Sequence, residues 1–255
     1  MMMMLGEQFL LLLLPLLVFT SILTLALAQS TWFEDPLPIR YVTTPFGGLV
    51  LVEGVQMSSD NASMTFQNSS KCHCRSACLV YPACNAFSLL PKNGGTLECQ
   101  ITTGDLMSLS YVDNAANTTI FGYKEAALQC KVKGLMTDGF LYCVSNAKNS
   151  SQYSDEWCRR IPGFRQSISK TKLELEVLLS ISDKTSGPLS VILKNKSGNL
   201  FWANAAEMGV GGFQYDGTVQ SSRQYFVLEA SGKRFVGVDT TRNTHYLCQA
   251  SNFLP

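Results

Sequence analysis

Cysteine offers the most chemistry in this chain: nine are present, all between Cys72 and Cys248. They could ligate a metal, act as nucleophiles or form disulfides. The tightest cluster is Cys72-His73-Cys74, with Cys78 nearby. Zinc sites space their ligands as pairs two to four apart, and cysteines in an oxidising compartment go to disulfides before metal. An odd count leaves at least one without an intrachain partner. Acid–base or nucleophilic catalysis needs a tuned neighbour, and the two histidines, His73 and His245, lie far apart in the chain. His245 follows Asp239 by six residues, but no Gly-x-Ser-x-Gly elbow, zincin motif, phosphate-binding loop or dinucleotide fingerprint accompanies it. No catalytic residue, metal ligand or cofactor is therefore assigned, and the chain is not read as an enzyme.

The N-terminus explains the cysteine load. Phe9 to Ala28 is almost wholly apolar, ends in Ala26-Leu27-Ala28 and is followed by polar Gln29 and Ser30. This pattern predicts a secretory signal peptide over residues 1–28. Its one departure is a start that carries Glu7 and no Lys or Arg. The rival reading, a membrane anchor, would want cytoplasmic Lys or Arg to orient it. After cleavage no stable membrane insertion is expected. Five sequons, at Asn61, Asn68, Asn117, Asn149 and Asn195, agree with export and glycosylation. The net charge of +1, with 15% charged residues and no basic run, excludes a nucleic-acid partner and an electrostatic grip on anionic lipid.

Apolar patterning places these residues on short elements. Residues 29–45 contain Pro36, Pro38 and Pro45 and read as an irregular lead-in. Gly48 to Val55 reads as a strand pair, Lys71 to Val80 as one helix, Ala86 to Leu90 and Leu97 to Ile101 as a hairpin, and Ile120 to Tyr123 as a closing strand. The pattern then restarts. A strand over Gly139 to Val144 precedes a short helix over Ser154 to Arg160. The apolar residues Leu173, Leu175, Val177, Leu178, Leu179 and Ile181 mark a helix with a wide buried face. Strands follow at Pro188 to Leu193, Tyr225 to Leu228, Arg234 to Val238 and His245 to Gln249, and Ala203 to Arg223 is a Gly-rich loop. The fold class is α+β, in two small modules of residues 46–126 and 127–255.

The run Cys74-x3-Cys78-x5-Cys84-x2-Phe87, then Cys99-x-Ile101, resembles the core of PAN/apple domains over about residues 40–125. Cys74 and Cys78, four apart, project from one helix face. The resemblance implies the bridges Cys74–Cys99 and Cys78–Cys84. The bridge that ties the two ends of many apple domains has no counterpart, since residues 29–71 hold no cysteine. Cys72 is then the extra, free or intermolecular, and His73 an exposed helix residue.

The second module resembles a C-type lectin-like domain over residues 128–255. The resemblance is carried by Leu141-Tyr142-Cys143, Glu156-Trp157-Cys158, Gly163, the Lys172 to Ile181 helix, Phe201-Trp202 and the ending Tyr246-Leu247-Cys248-Gln249. It implies the bridges Cys158–Cys248 and Cys130–Cys143. Two features depart from that family. No cysteine lies between Cys158 and Cys248, and no proline occurs from Leu189 to Leu254, so the Glu-Pro-Asn or Gln-Pro-Asp calcium motif is missing. The Trp-Asn-Asp triplet falls near Phe235-Val236-Gly237, which has no side-chain oxygen. Glu207, Asp216, Glu229 and Asp239 are too scattered to supply the six to eight oxygens calcium wants. Trp157 and Trp202 read as core. Phe213 and Tyr215, flanked by glycines in the long loop, are the candidate ligand contact.

These features together read as a secreted recognition protein that binds an extracellular protein or carbohydrate without the usual calcium-dependent sugar site. The alternative is a structural matrix or adhesion component cross-linked through Cys72, for instance as a disulfide-linked dimer. N-terminal sequencing of secreted material should return Gln29 as the first residue; a membrane-bound product that retains Met1 overturns the signal-peptide reading.

Overall fold

The computed structural model describes residues 38–113, 119–169, 171–191, 193–196, 199–202, 214–216, 225–229, 234–238 and 241–252. The N-terminal half contributes strands β1 (Pro38–Thr44), β2 (Gly47–Glu53), β3 (Val55–Met57) and β4 (Met64–Ser69), helix α1 (Lys71–Val80), then β5 (Ala86–Pro91), β6 (Leu97–Thr102), β7 (Tyr111–Asp113) and β8 (Ile120–Lys124). The C-terminal half continues with β9 (Cys130–Leu135), β10 (Phe140–Ser145), β11 (Asn149–Ser150), α2 (Ser154–Arg159), β12 (Arg165–Gln166) and α3 (Lys172–Thr185). It ends with β13 (Leu189–Val191), β14 (Leu193–Lys196), β15 (Asn199–Trp202), β16 (Gln214–Asp216), β17 (Tyr225–Glu229), β18 (Arg234–Val238) and β19 (Asn243–Asn252).

The run Leu49-Val50-Leu51-Val52 is continuous rather than alternating because β2 is covered on both faces. Leu49 joins a core with Cys74, Cys78, Phe87, Leu89, Cys99 and Ile101 under α1. Val50 and Val52 point the other way, into a second core. Helix α1 starts where the Ser70 hydroxyl accepts a hydrogen bond from the His73 amide at 3.1 Å. Its face is set by the four-residue spacing of buried Cys74 and Cys78, the first bridged to Cys99 of β6 and the second to Cys84 just before β5.

In the C-terminal half, strict period-two alternation divides the apolar residues between two layers. Leu141 and Cys143 of β10, with Cys248 and Ala250 of β19, face α2. Tyr142, Val144 and Leu247 face α3, together with Leu175, Leu178 and Ile181. Helix α3 opens on an N-cap, the Thr171 hydroxyl accepting from the Glu174 amide at 3.2 Å, and closes at Ser186 in the left-handed region. It runs four residues beyond the sequence-predicted Ile181, and Leu173, read from its apolar type as part of the buried face, is exposed in its first turn.

The two halves meet in one sheet. The strand order is β16-β18-β17-β13-β19-β1-β2-β8-β5-β6-β4, with β10, β11 and β12 also pairing β19. The join is the parallel pairing of β1 with β19, Pro38 opposite Ser251 and Ile39 opposite Asn252. This corrects the reading of an irregular lead-in over residues 38–44; residues 29–37 of that lead-in lie outside the described residues. Pro38 stands at the first position of β1 and Pro45 in the turn after it, two places where proline removes no ladder hydrogen bond. The second core is common to both halves: Ile39, Val52, Phe121 and Tyr123 pack in one cluster with Leu141, Phe164 and Cys248. The Tyr123 hydroxyl crosses the join to donate to the Pro162 carbonyl at 3.1 Å.

Gly163 shows how tightly the join is packed. Its φ is +87°, and an added Cβ would lie 2.5 Å from Ile39 Cγ2. Gly139 has a similar φ of +83° with nothing within 4 Å of the same position. Backbone strain alone costs about 1–2 kcal/mol, and overpacking adds about 1–3 kcal/mol. Gly163→Ala should therefore destabilise the protein by roughly 2–5 kcal/mol in urea unfolding, and Gly139→Ala by the strain alone, about 1–2 kcal/mol. Equal losses for the two variants would show that the contact across the join is loose.

Candidate functional site

Eight cysteines form four bridges, Cys74–Cys99, Cys78–Cys84, Cys130–Cys143 and Cys158–Cys248. Each fastens one element to another: α1 to β6, α1 to the segment before β5, β9 to β10, and α2 to β19. The last closes a loop of 90 residues, which on chain-entropy arithmetic is worth about 4–5 kcal/mol. Cys72 is an exposed free thiol. It stands two residues from Cys74, on the opposite side of α1 from the buried pair. His73 beside it is exposed, its ring 6.2 Å from that of Phe66. Among the described residues no group of three or more His, Cys, Asp or Glu could hold a metal.

The polar groups at the centre of the fold are engaged in holding it. Tyr41 donates to Glu125 Oε2 at 2.5 Å, and burial together with that carboxylate pushes the phenol up to about 12. The Lys133 ammonium donates to the carbonyls of Glu125, Ala126 and Leu128, which pins the segment between the halves. Tyr142 is raised well above the ordinary phenol range, chiefly by burial, and donates to Asp138 at 2.8 Å. None of these pairs an acid with a base in a cleft.

The long-loop residues are only partly placed. Tyr215 lies in β16, opposite Phe235 of β18, so the stretch read as continuous loop contains a strand. Phe213, Glu207 and Asp239 lie outside the described residues, and Asp216 is placed in β16 by its backbone. Glu229 forms an ion pair with Arg242 at 3.1 Å. Arg242 gave no signal in the sequence, because it is 13 positions away and lies outside any motif. Trp157 is half-buried against the shared core, its ring 5.8 Å from Tyr246. Trp202 ends β15. Of the sequons, Asn149 is exposed on β11. Asn61 is half-buried, its amide donating to the Ser110 carbonyl at 3.3 Å. Asn68 and Asn195 are placed in β4 and β14, and Asn117 lies outside the described residues.

Residues 47–109 match the family of PAN-like domains. No curated protein matches the chain. Among solved structures, the chain is similar to human lithostathine, with a TM-score of 0.40 and 12% identity over 47% of this chain and 88% of that one. It is also similar to a C-type lectin from the tunicate Polyandrocarpa misakiensis, with a TM-score of 0.39 and 11% identity over 45% and 99%. A third similar structure is the C-type lectin domain of murine dendritic cell inhibitory receptor 2 in complex with N-glycan, at 0.40 and 14% over 46% and 94%.

The exposure of Cys72 gives a direct test. In unfolded, unreduced monomer a thiol reagent should label one cysteine per chain, at Cys72, and any disulfide-linked dimer should vanish in Cys72→Ser. Label at a second cysteine, or a dimer that survives the substitution, overturns the assignment.

Proposed function

We propose that the mature protein is a secreted extracellular recognition molecule. Residues 1–28 are removed as a signal peptide, residues 46–126 form a PAN/apple-like domain and residues 127–255 a C-type lectin-like domain. The ligand is a protein or carbohydrate, bound without the usual calcium site and without a cofactor. The observation that carries this reading is the use of the cysteines: four bridges each fasten one element to another. Such stapling suits an oxidising, extracellular setting. The PAN-like match to residues 47–109 supports the first domain. The ion pair of Glu229 with Arg242 removes one of the four loop acids from a calcium shell.

Recognition would run through Phe213 and Tyr215, the latter in β16, with glycans on the sequon asparagines. A second reading, a matrix or adhesion component joined through Cys72, draws on the exposure of that thiol. A glycan and protein array, run with millimolar calcium and then with chelator, tests the first reading. Binding to at least one ligand class should be equal in both conditions and fall about tenfold or more in Tyr215→Ala, as for the loss of a buried aromatic anchor. The melting temperature should be the same in both. A real calcium site at 100-fold excess adds about 2.7 kcal/mol, so a calcium-dependent rise of several degrees would return the protein to the conventional lectins.

A further inference from the structure

His245 sits at the root of the long-loop lobe. It is 3% exposed, on β19, at the point where β13 joins in parallel with Leu189 opposite it. Its amide donates to the Pro188 carbonyl at 3.1 Å. Its Nδ1 lies 2.9 Å from the Ser145 carbonyl oxygen of β10, which assigns the proton of the neutral ring to Nδ1. One residue thus meets three segments: from β19 its ring reaches the end of β10, and its backbone amide holds the turn before β13.

Among the described residues, the charges that act on the ring are positive. Lys148 approaches from the segment before β11: a Cβ on Gly187 would lie 3.4 Å from Lys148 Nζ and 3.4 Å from His245 Cδ2. Lys131 approaches from β9, its ammonium donating to the Thr185 carbonyl at the end of α3 at 2.8 Å. Other described neighbours are uncharged: Ser145 from β10, Leu189 and Ser190 from β13, and Gly187 and Pro188 from the turn. Among the described residues no carboxylate is among the charges that act on the ring. Among the described residues Nε2 has no hydrogen-bond partner, so a proton added there gains no acceptor and meets two ammonium groups.

We infer that His245 is an acid-sensitive joint, holding the β13–β17–β18 lobe on β19 when neutral and loosening it when protonated. Burial, the largest cause, and the two lysines push the folded imidazole below its ordinary 6.5, against the opposing pull of the Ser145 carbonyl. The unfolded or opened state protonates first as pH falls. The stabilisation is therefore complete above about pH 6.5, is lost as pH drops below it, and stops falling once the folded ring is itself protonated. This inference stands apart from the ligand reading, since it concerns the attachment of the lobe whatever that lobe binds.

The experiment compares wild type with His245→Asn, whose amide can still donate to the Ser145 carbonyl but does not titrate, and with Lys148→Gln. Between pH 7.5 and pH 5.0 the wild-type melting temperature should fall by several degrees more than that of His245→Asn, with Lys148→Gln between them. Hydrogen exchange of wild type, corrected for the intrinsic pH dependence, should lose protection at pH 5.0 in β13 and β17 before β5 and β6. Equal melting shifts in wild type and His245→Asn overturn the inference, as does a loss of protection spread evenly over the chain. Should His245→Asn not fold, the Lys148→Gln shift and the exchange pattern decide it by the same criteria.

Discussion

Strand β19 is the spine on which the rest of the structure depends. Its ten residues pair with β1, β10, β11, β12 and β13, in parallel at β1 and β13 and antiparallel at the others. Every buried backbone amide and carbonyl must find a partner, so a strand shared by five neighbours fixes where each of them begins. Cys248, near its middle, is bonded to Cys158 and so draws α2 onto the same strand. A break in β19 releases the N-terminal half at β1 and the long-loop lobe at β13 together.

The constraint has a plain thermodynamic reason. Domains of about 100 residues bury a smaller fraction of their surface than larger ones and are correspondingly marginal. Here the two halves meet in a common core that holds Ile39, Val52, Phe121 and Tyr123 beside Leu141, Phe164 and Cys248. Polar atoms at the join are satisfied across it or beside it. The Tyr123 hydroxyl reaches the Pro162 carbonyl, and Lys133 satisfies three carbonyls of the connecting segment. The bridges lie within each half and leave the join to packing and hydrogen bonds. Substitutions at the join therefore act through steric fit, as at Gly163, where the neighbouring atoms belong to Ile39 and Val52.

This arrangement distinguishes a densely hydrogen-bonded scaffold from the β13–β17–β18 lobe. Tyrosines, lysines and the half-buried Trp157 are spent on packing and hydrogen bonds within the scaffold. His245 lies where scaffold and lobe meet, and its surroundings are built from β9, β10, the turn before β13 and the segment before β11. A ring in that position senses pH through its neighbours' charge and its own burial, without any contact to a ligand.

Much of this was legible in the residues alone. The four-residue spacing of Cys74 and Cys78 put both on one helix face, and the apolar run Leu141-Tyr142-Cys143-Val144 marked a strand, which the structure covers on both faces. Helix α1 falls on the residues whose pattern proposed it, because its cap, its face and its end are all local. The pairing of the cysteines was not legible from spacing, and only the family resemblances implied it. What sequence could not supply was every feature that depends on distant partners. Residues 38–44 begin at Pro38, lie between Pro36 and Pro45 and read as irregular, yet they form a strand because β2 and the far end of the chain receive them. Arg242 meets Glu229, and Lys131 and Lys148 converge near His245, across separations that no periodicity records. Local pattern determines which face of an element is apolar; which other element covers that face is a long-range choice, made only when the whole core closes.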